Sequence, residues 1–178
     1  MSRPSFAVLI LGLALAVAGC AAAPEPEPTP SGFASEEELF AAAEETLEGY
    51  IEALDAADYQ DPEALEPVYA WLTGEALATS REDLTELAAS GYTKSGTSVI
   101  TLVQPAELAP AEADASVDAC IDVSRVDIVD ASGASVVAED RPDVQSVRVA
   151  FTGTDATRTG LAIEQISGRE GEPSCEDD

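Results

Sequence analysis

The residues best suited to covalent chemistry are three cysteines, Cys20, Cys120 and Cys175. No two of them have the C-x-x-C spacing of a thiol–disulfide oxidoreductase. The chain contains no histidine, which excludes a cysteine–histidine zinc site and the familiar Ser-His and Cys-His catalytic pairs. An odd number of cysteines also leaves at least one outside any intramolecular disulfide.

Residues 1–20 have the pattern of a secretory signal. Arg3 supplies a positive start, and the apolar run over 6–18 is shorter than the ~20 residues of a membrane span. Val17-Ala18-Gly19-Cys20 resembles the lipobox of bacterial lipoproteins. That resemblance implies cleavage before Cys20, a diacylglyceryl group on its thiol, and an acyl chain such as palmitate on the new amine. The alternative is an ordinary cleaved signal with an incidental cysteine.

A proline-rich segment follows the cleavage site. Its alternating prolines between Pro24 and Pro30 favour extended polyproline II, at ~3.1 Å per residue, so we interpret it as a spacer. A proline-rich recognition ligand is the alternative. The predicted organisation is a signal peptide over 1–19, a lipidated stalk over 20–35 and a domain over 36–178. Two or three acyl chains would hold this domain at the outer face of the cytoplasmic membrane.

Acylation of Cys20 leaves Cys120 and Cys175 in an oxidising compartment, where a disulfide is favoured. On the chain-entropy model, closing this loop stabilises a fold by ~4 kcal/mol. It would also fix the acidic end of the chain, residues 176–178. Two free thiols are the alternative.

The charge of the chain excludes one class of partner. Thirty-five acidic residues against eight basic ones give a formal charge of -27. Arg3 is the only charged residue among residues 1–19, so cleavage would change the charge to -28. Affinity for nucleic acid depends on lysine and arginine, so we expect no nucleic-acid partner. The membrane lipid that holds the acyl anchor is the one partner that the sequence implies directly.

The remaining motifs indicate no catalytic, cofactor or metal site. The chain has no G-x-S-x-G and no glycine-rich phosphate loop. Asp155-x-Thr157-x-Thr159-Gly160 resembles the start of a calcium loop, but threonines replace the carboxylates and Ile166 stands where the bidentate glutamate belongs. We expect a turn between two strands there.

The first half of the domain has helical periodicity. The capping box Ser35-Glu36-Glu37-Glu38, in which Glu38 would reach back to the Ser35 amide, predicts a helix over 36–57. Asp61 and Pro62 open a second helix, which we expect Pro67 to divide into two short turns within 62–73. Ser80-Arg81-Glu82-Asp83 predicts the start of a third helix that ends near Gly91. We expect Trp71 to anchor the core.

The second half has the two-residue period of strands. Strands are predicted over 99–103, 117–123 and 147–151 and from 161, with a small hairpin over 126–137. Helices followed by strands predict an α+β domain, with three helices on one face of a mainly antiparallel sheet. The apolar face over 117–123 would be buried, so we expect Asp118 and Asp122, which share the other face with Cys120, to face solvent or the helix edge.

Residues 36–178 resemble small actinobacterial NTF2-like lipoproteins. The matching segments are Thr73-Gly74-Glu75-Ala76-Leu77, Ala119-Cys120-Ile121-Asp122-Val123-Ser124, residues 126–133, and Gly171-Glu172-Pro173-Ser174-Cys175. The resemblance implies the NTF2-like (cystatin-like) cone, with three N-terminal helices on a curved sheet. This chain has Thr159-Gly160-Leu161-Ala162 where the family places a tryptophan. The family has no established activity.

We therefore expect a non-catalytic module that binds a small apolar ligand or an envelope protein. The alternative is a small cavity enzyme of the isomerase or cyclase type, like ketosteroid isomerase, which pairs a tyrosine with an aspartate in an apolar cavity. The residues available for such a pair are Tyr50, Tyr69, Tyr92, Asp118 and Asp122. An enzyme would bring at least two ionisable groups together in a buried pocket. Dimerisation across the sheet stays open.

Overall fold

A computed structural model of the chain describes residues 32–106 and 113–175. The predicted signal peptide, Cys20 and most of the predicted stalk lie outside the described residues. The structure confirms the α+β prediction, because three helices precede the strands. The elements are α1 (Glu36–Ala56), α2 (Pro62–Tyr69), α3 (Gly74–Ala89), β1 (Thr93–Ser95), β2 (Val99–Pro105), β3 (Ala115–Asp122), β4 (Asp127–Val129), β5 (Val144–Gly153) and β6 (Leu161–Gly168).

Four strands form one antiparallel sheet in the order β2-β3-β5-β6, and β1 pairs with β4 in a separate ribbon. The β2–β3 register shifts between Ile100 and Leu102, and the β5–β6 register shifts between Ala150 and Phe151. Such irregularities bend a strand, and here the sheet curves around the helices. Pro105 ends an edge strand, where a missing N–H costs no ladder bond. Within the described ranges, no helix is long and apolar enough to cross a bilayer.

One of the two hydrogen bonds of the predicted capping box is present at the start of α1. Ser35 Oγ accepts a hydrogen bond from the Glu38 amide at 3.1 Å, but the Glu38 carboxylate accepts from the amide of Ala34 rather than of Ser35. Helical spacing then brings one face of α1 onto the sheet, with Ala43 and Leu47 fully buried. The prediction for this helix is confirmed to within one residue at its C-terminal end.

Two expectations about the shorter helices are wrong. Pro67 lies inside a continuous α2, where it removes a single backbone bond while Leu65 and Val68 hold the helix against the core. The third helix begins at Gly74 rather than Ser80, because β6 fixes its start: the Thr73 amide donates to the Ile163 carbonyl at 2.8 Å. Its predicted end is confirmed, since Gly91 follows with a φ of 70°.

The core lies between α1 and the helix-facing side of the sheet. Its fully buried side chains each contribute ~1.5–3 kcal/mol through the hydrophobic effect, and the largest are Phe151, Leu47, Leu161, Ile163, Val68, Val117 and Val149. Thr46 is a polar group in this core. Its hydroxyl lies 2.6 Å from the Ala42 carbonyl oxygen, to which it donates, and 2.7 Å from the hydroxyl of Thr159. Thr159 thus joins α1 to the turn before β6.

Trp71 is half-buried and packs against the edge of this core. Gly49 on α1 makes room for it, because a Cβ at that position would clash with the indole ring. The guanidinium of Arg158 lies 4.7 Å from the ring centroid on its outer side. The prediction that Trp71 anchors the core is thus confirmed for the inner face of its ring.

An ion pair joins α1 to the β1–β2 turn. Lys94 Nζ donates to Asp55 Oδ1 at 2.7 Å, and the other carboxylate oxygen accepts from the Ser98 amide at 2.8 Å. Both side chains are largely buried, with 5% and 12% of their surfaces exposed. Gly96 turns the chain here with a φ of 79°, and any side chain would collide with the Arg125 carbonyl.

Candidate functional site

The predicted disulfide is present. Cys120 on β3 and Cys175 near the chain end are bonded, with 5.5 Å between their Cα atoms and a sequence separation of 55. Cys120 lies on the sheet face opposite the helices, since Val117, Ala119 and Ile121 occupy the core-facing side. It is nevertheless almost fully buried. The bond therefore brings the end of the chain across the outer face of the sheet.

Asp118, two residues before Cys120, is also buried, with 3% of its surface exposed. The expectation that it faces solvent or the helix edge is wrong. Arg148, its partner in the β3–β5 register, donates to both carboxylate oxygens, at 2.7 and 2.9 Å. Arg169 Nε lies 3.8 Å from the same carboxylate. The hydrogen bonds that Arg148 donates to Asp118 raise the pKa of the Arg148 guanidinium above its usual value.

Asp122, the second aspartate on this face, does stay at the surface. Its carboxylate accepts from the Ser124 amide at 2.8 Å, and the bonds from Ser124 lower its pKa. Two aspartates four residues apart on one strand therefore have different surroundings. The difference comes from what covers the first one.

The cover is a segment without helix or strand, residues 169–175, which we name the C-terminal strap. Arg169 organises it. The buried guanidinium donates to the carbonyls of Gly171 and Pro173, and one of its nitrogens lies 3.6 Å from Cys175 Sγ. Arg169 Nε is one of two buried side-chain atoms in the described segments that lack a hydrogen-bond partner. The strap is thus held by one covalent bond and by bonds from its own first residue.

An open groove of about 630 Å³ runs between the strap and the start of β5. One wall comprises Pro142, Asp143, Val144 and Ser146, and the other is the strap, including the disulfide-bonded Cys175. Cys120 does not line it. The groove thus gives access to the disulfide from the side of Cys175 alone.

A second open groove, of about 710 Å³, lies at the other end of β5. It is lined by Phe33, where the chain enters the domain, and by the β5–β6 turn with Gly160 and Arg158. Ten residues of β5 at ~3.3 Å each separate the ends of the sheet by roughly 30 Å. Phe33 therefore enters the domain at the end opposite the disulfide.

The tyrosines singled out from the sequence lie on the helical side of the molecule. Tyr50 and Tyr69 are buried there, and burial raises the pKa of both phenols. Tyr92 is half-exposed just beyond α3. Asp118 lies on the other face of the sheet, the one opposite the helices, where it pairs with Arg148. The structure therefore does not bring a tyrosine of this set together with Asp118.

Residues 154–160 form the turn between β5 and β6, as predicted. Thr157 Oγ1 donates to the Leu161 carbonyl at 2.7 Å, so this threonine closes the turn. Across the two described ranges, no group of three or more histidines, cysteines or acids is arranged to hold a metal ion.

Sequence reasoning missed Arg148 and Arg169, the two arginines of the site. The alternation of Val147, Val149 and Phe151 already places Arg148 on the outer face of its strand. Its partner depends on the β3–β5 register, which periodicity alone does not define. Arg169 carried no local signal, because its role depends on the return of the strap over β3.

Comparisons with known proteins add little. No family model matches the chain, and no curated protein matches it. Among solved structures, a periplasmic fragment of TraM is similar, with a TM-score of 0.38 and 14% identity over 78% of this chain and 100% of that chain. Similarity at this level says nothing about the function of either protein.

Proposed function

We propose that the chain is an exported lipoprotein, held by acyl chains on Cys20 at the outer face of the cytoplasmic membrane. Its domain is a non-catalytic module of the NTF2-like cone fold that binds a small apolar ligand or an envelope protein. The observation that carries the proposal is the Cys120–Cys175 disulfide. A disulfide is typical of an oxidising compartment, and this one leaves Cys20 as the single cysteine without a partner.

One feature of the fold supports the cone assignment. Three helices come first and pack on one face of a curved antiparallel sheet. The segment Thr159-Gly160-Leu161-Ala162, where the family has a tryptophan early in the last strand, is a departure from the family, and Thr159 there is joined to Thr46 on α1 by a hydrogen bond.

The arrangement of the ionisable groups supports a binding module over an isomerase. An isomerase of the ketosteroid type needs a tyrosine and an acid in one apolar pocket. Here Tyr50 lies in the helical layer, whereas both oxygens of Asp118 are used by Arg148 on the other side of the sheet. The ion pair thus occupies this carboxylate on the face of the sheet that carries no tyrosine of the set.

Metabolic labelling with palmitate tests the anchor. The wild-type chain should take up label and sediment with membranes, and Cys20→Ala should abolish both. The matched control is Cys120→Ser/Cys175→Ser, which removes the disulfide and should leave labelling unchanged. Label that persists in Cys20→Ala would contradict the proposal.

A titration with a polarity-sensitive apolar dye tests the ligand half of the proposal. The Cys20→Ala chain avoids lipid and micelles that would themselves absorb the dye. We expect saturable binding of one dye molecule per chain with a change in Trp71 fluorescence. Dye binding that does not saturate would contradict a site for a small ligand. The proposed partner would then be an envelope protein.

A further inference from the structure

We propose that the Cys120–Cys175 disulfide is a releasable latch. A protein dithiol of the cell envelope would dock at the groove beside the C-terminal strap, reduce the bond, and free the strap from the outer face of the sheet. This inference concerns the strap end of the domain; it rests on the proposed export of the chain but not on acylation of Cys20.

Access to the two sulfur atoms is unequal. Cys175 lines the groove of about 630 Å³, whereas Cys120 is 2% exposed beneath the strap. Thiol–disulfide exchange requires a thiolate to reach one sulfur of the bond, so accessibility decides which one is attacked. The geometry directs an incoming thiol to Cys175 Sγ.

The exchange balances as a two-electron reduction. The first thiolate of the dithiol attacks Cys175 Sγ, a mixed disulfide forms, and Cys120 leaves as a thiolate that takes up a proton. The second thiol of the reductant, as its thiolate, then attacks the reductant's first sulfur in the mixed disulfide. This attack closes the reductant's own disulfide and expels Cys175 as a thiolate. Arg169 lies 3.6 Å from that sulfur, and an adjacent guanidinium stabilises a departing thiolate. The dithiol is oxidised to a disulfide, and both cysteines end as thiols.

Charge favours departure of the strap once the bond is broken. Residues 170–178 contain five acids, Glu170, Glu172, Glu176, Asp177 and Asp178, in a chain whose formal charge is -27. Arg169 is the only base near them in sequence. Like charges repel, so a strap freed from its covalent bond would leave the sheet. Its departure would expose Cys120, Asp118 and Arg148.

Trapping tests the route of attack. The probe is a thioredoxin whose second active-site cysteine is replaced by serine, incubated with the Cys20→Ala chain under native conditions. We expect a mixed disulfide on Cys175, identified by peptide mass. An adduct on Cys120, or no adduct at all, would overturn the proposal.

Hydrogen exchange after treatment with dithiothreitol tests release. Amides of the strap should exchange about tenfold faster or more, and to the same level as in a Cys175→Ser variant, while amides of α1 and β5 keep the protection of a folded domain, lowered only by the global loss of stability that reduction causes. If α1 and β5 lose all protection together with the strap, the bond holds the whole domain together and the latch is refuted. A strap that keeps its protection after both thiols have been alkylated would refute it equally.

Discussion

At the scale of single residues, Asp118 stands out because its charge is buried. It is the one charged residue in the described part of the chain that is buried as a whole, and two arginines face its carboxylate. Removing one partner of a buried ion pair leaves the others desolvated and unpaired. The stability of the outer face therefore depends on this carboxylate more than on any surface acid.

We expect Asp118→Asn to lower the free energy of unfolding by about 3 kcal/mol, towards the low end for a buried pair because 29% of the Arg148 side chain is exposed. Urea denaturation followed by Trp71 fluorescence measures the loss. Asp122→Asn is the matched control on the same strand face, and should cost much less, because its carboxylate lies at the surface. Equal losses in the two variants would show that the arginine pair adds no stability.

The surroundings of single residues were only partly predictable. The burial of Leu47 and Val117 follows from periodicity, because position along a helix or strand decides which side faces the core. The burial of Asp118 could not be predicted, because it depends on a strap that begins about fifty residues later in the chain. The Cys120–Cys175 pair was predictable by counting, but its position over an arginine site was not.

At the scale of elements, the helix starts offer a comparison within one molecule. Ser35 caps α1 with a side-chain hydrogen bond, whereas Thr73 occupies the same position in α3 without one. Backbone bonding to β6 replaces that cap, through the Thr73 amide and the Ile163 carbonyl. The two helices are therefore started by different interactions.

Ser35→Ala should lower the free energy of unfolding by about 1 kcal/mol, the usual value of an N-cap bond. Thr73→Ala should change it by less than about 0.5 kcal/mol, since no side-chain cap is lost. Chemical denaturation monitored by circular dichroism compares the two. The reverse order would mean that side-chain capping does not start α1.

Burial of Tyr59 beside the helices should make the free energy of unfolding depend on pH in the alkaline range. Burial, with smaller effects from Tyr50 and Asp55, raises the pKa of Tyr59 from 10.0 to about 12. The folded state therefore holds this proton more tightly, so the stabilisation is complete below pH 10 and is lost as the pH rises from about 10 to about 12. Urea denaturation across this range should show a smaller loss in Tyr59→Phe. A loss in Tyr59→Phe as large as in the wild type would contradict this assignment.

Element types were predictable, while two boundaries were not. Alternation and capping signals identify α1, β3 and β5 because they reflect local burial. The start of α3 depends on a bond to β6, and the continuity of α2 across Pro67 depends on core packing. Tertiary contacts determine both features. The local sequence around Ser80 and Pro67 therefore predicted a wrong start for α3 and a wrong break in α2.

At the scale of the whole molecule, order and period of the elements were enough to predict the α+β class. The strand order β2-β3-β5-β6 and the separate β1–β4 ribbon needed the structure. The Cys120–Cys175 disulfide links the C-terminal strap to β3. That bond restricts the unfolded chain as well as the folded one.

Cys120→Ser/Cys175→Ser should therefore lower the free energy of unfolding by up to about 4 kcal/mol while the domain stays folded. Thermal unfolding followed by circular dichroism, with wild type in the absence and presence of reductant, measures this. Reduced wild type should match the double variant. A variant as stable as the oxidised wild type would contradict the chain-entropy account.

The pairing of Lys94 with Asp55 has a practical consequence. This lysine is the only one in the sequence, and its amine is held inside the molecule. Reagents that couple to the ε-amine of lysine should leave the native domain unmodified, whereas carbodiimide chemistry would find abundant carboxylates. Cross-linking through lysine would therefore miss neighbours of this protein, and immobilisation through lysine would select molecules that have opened around α1.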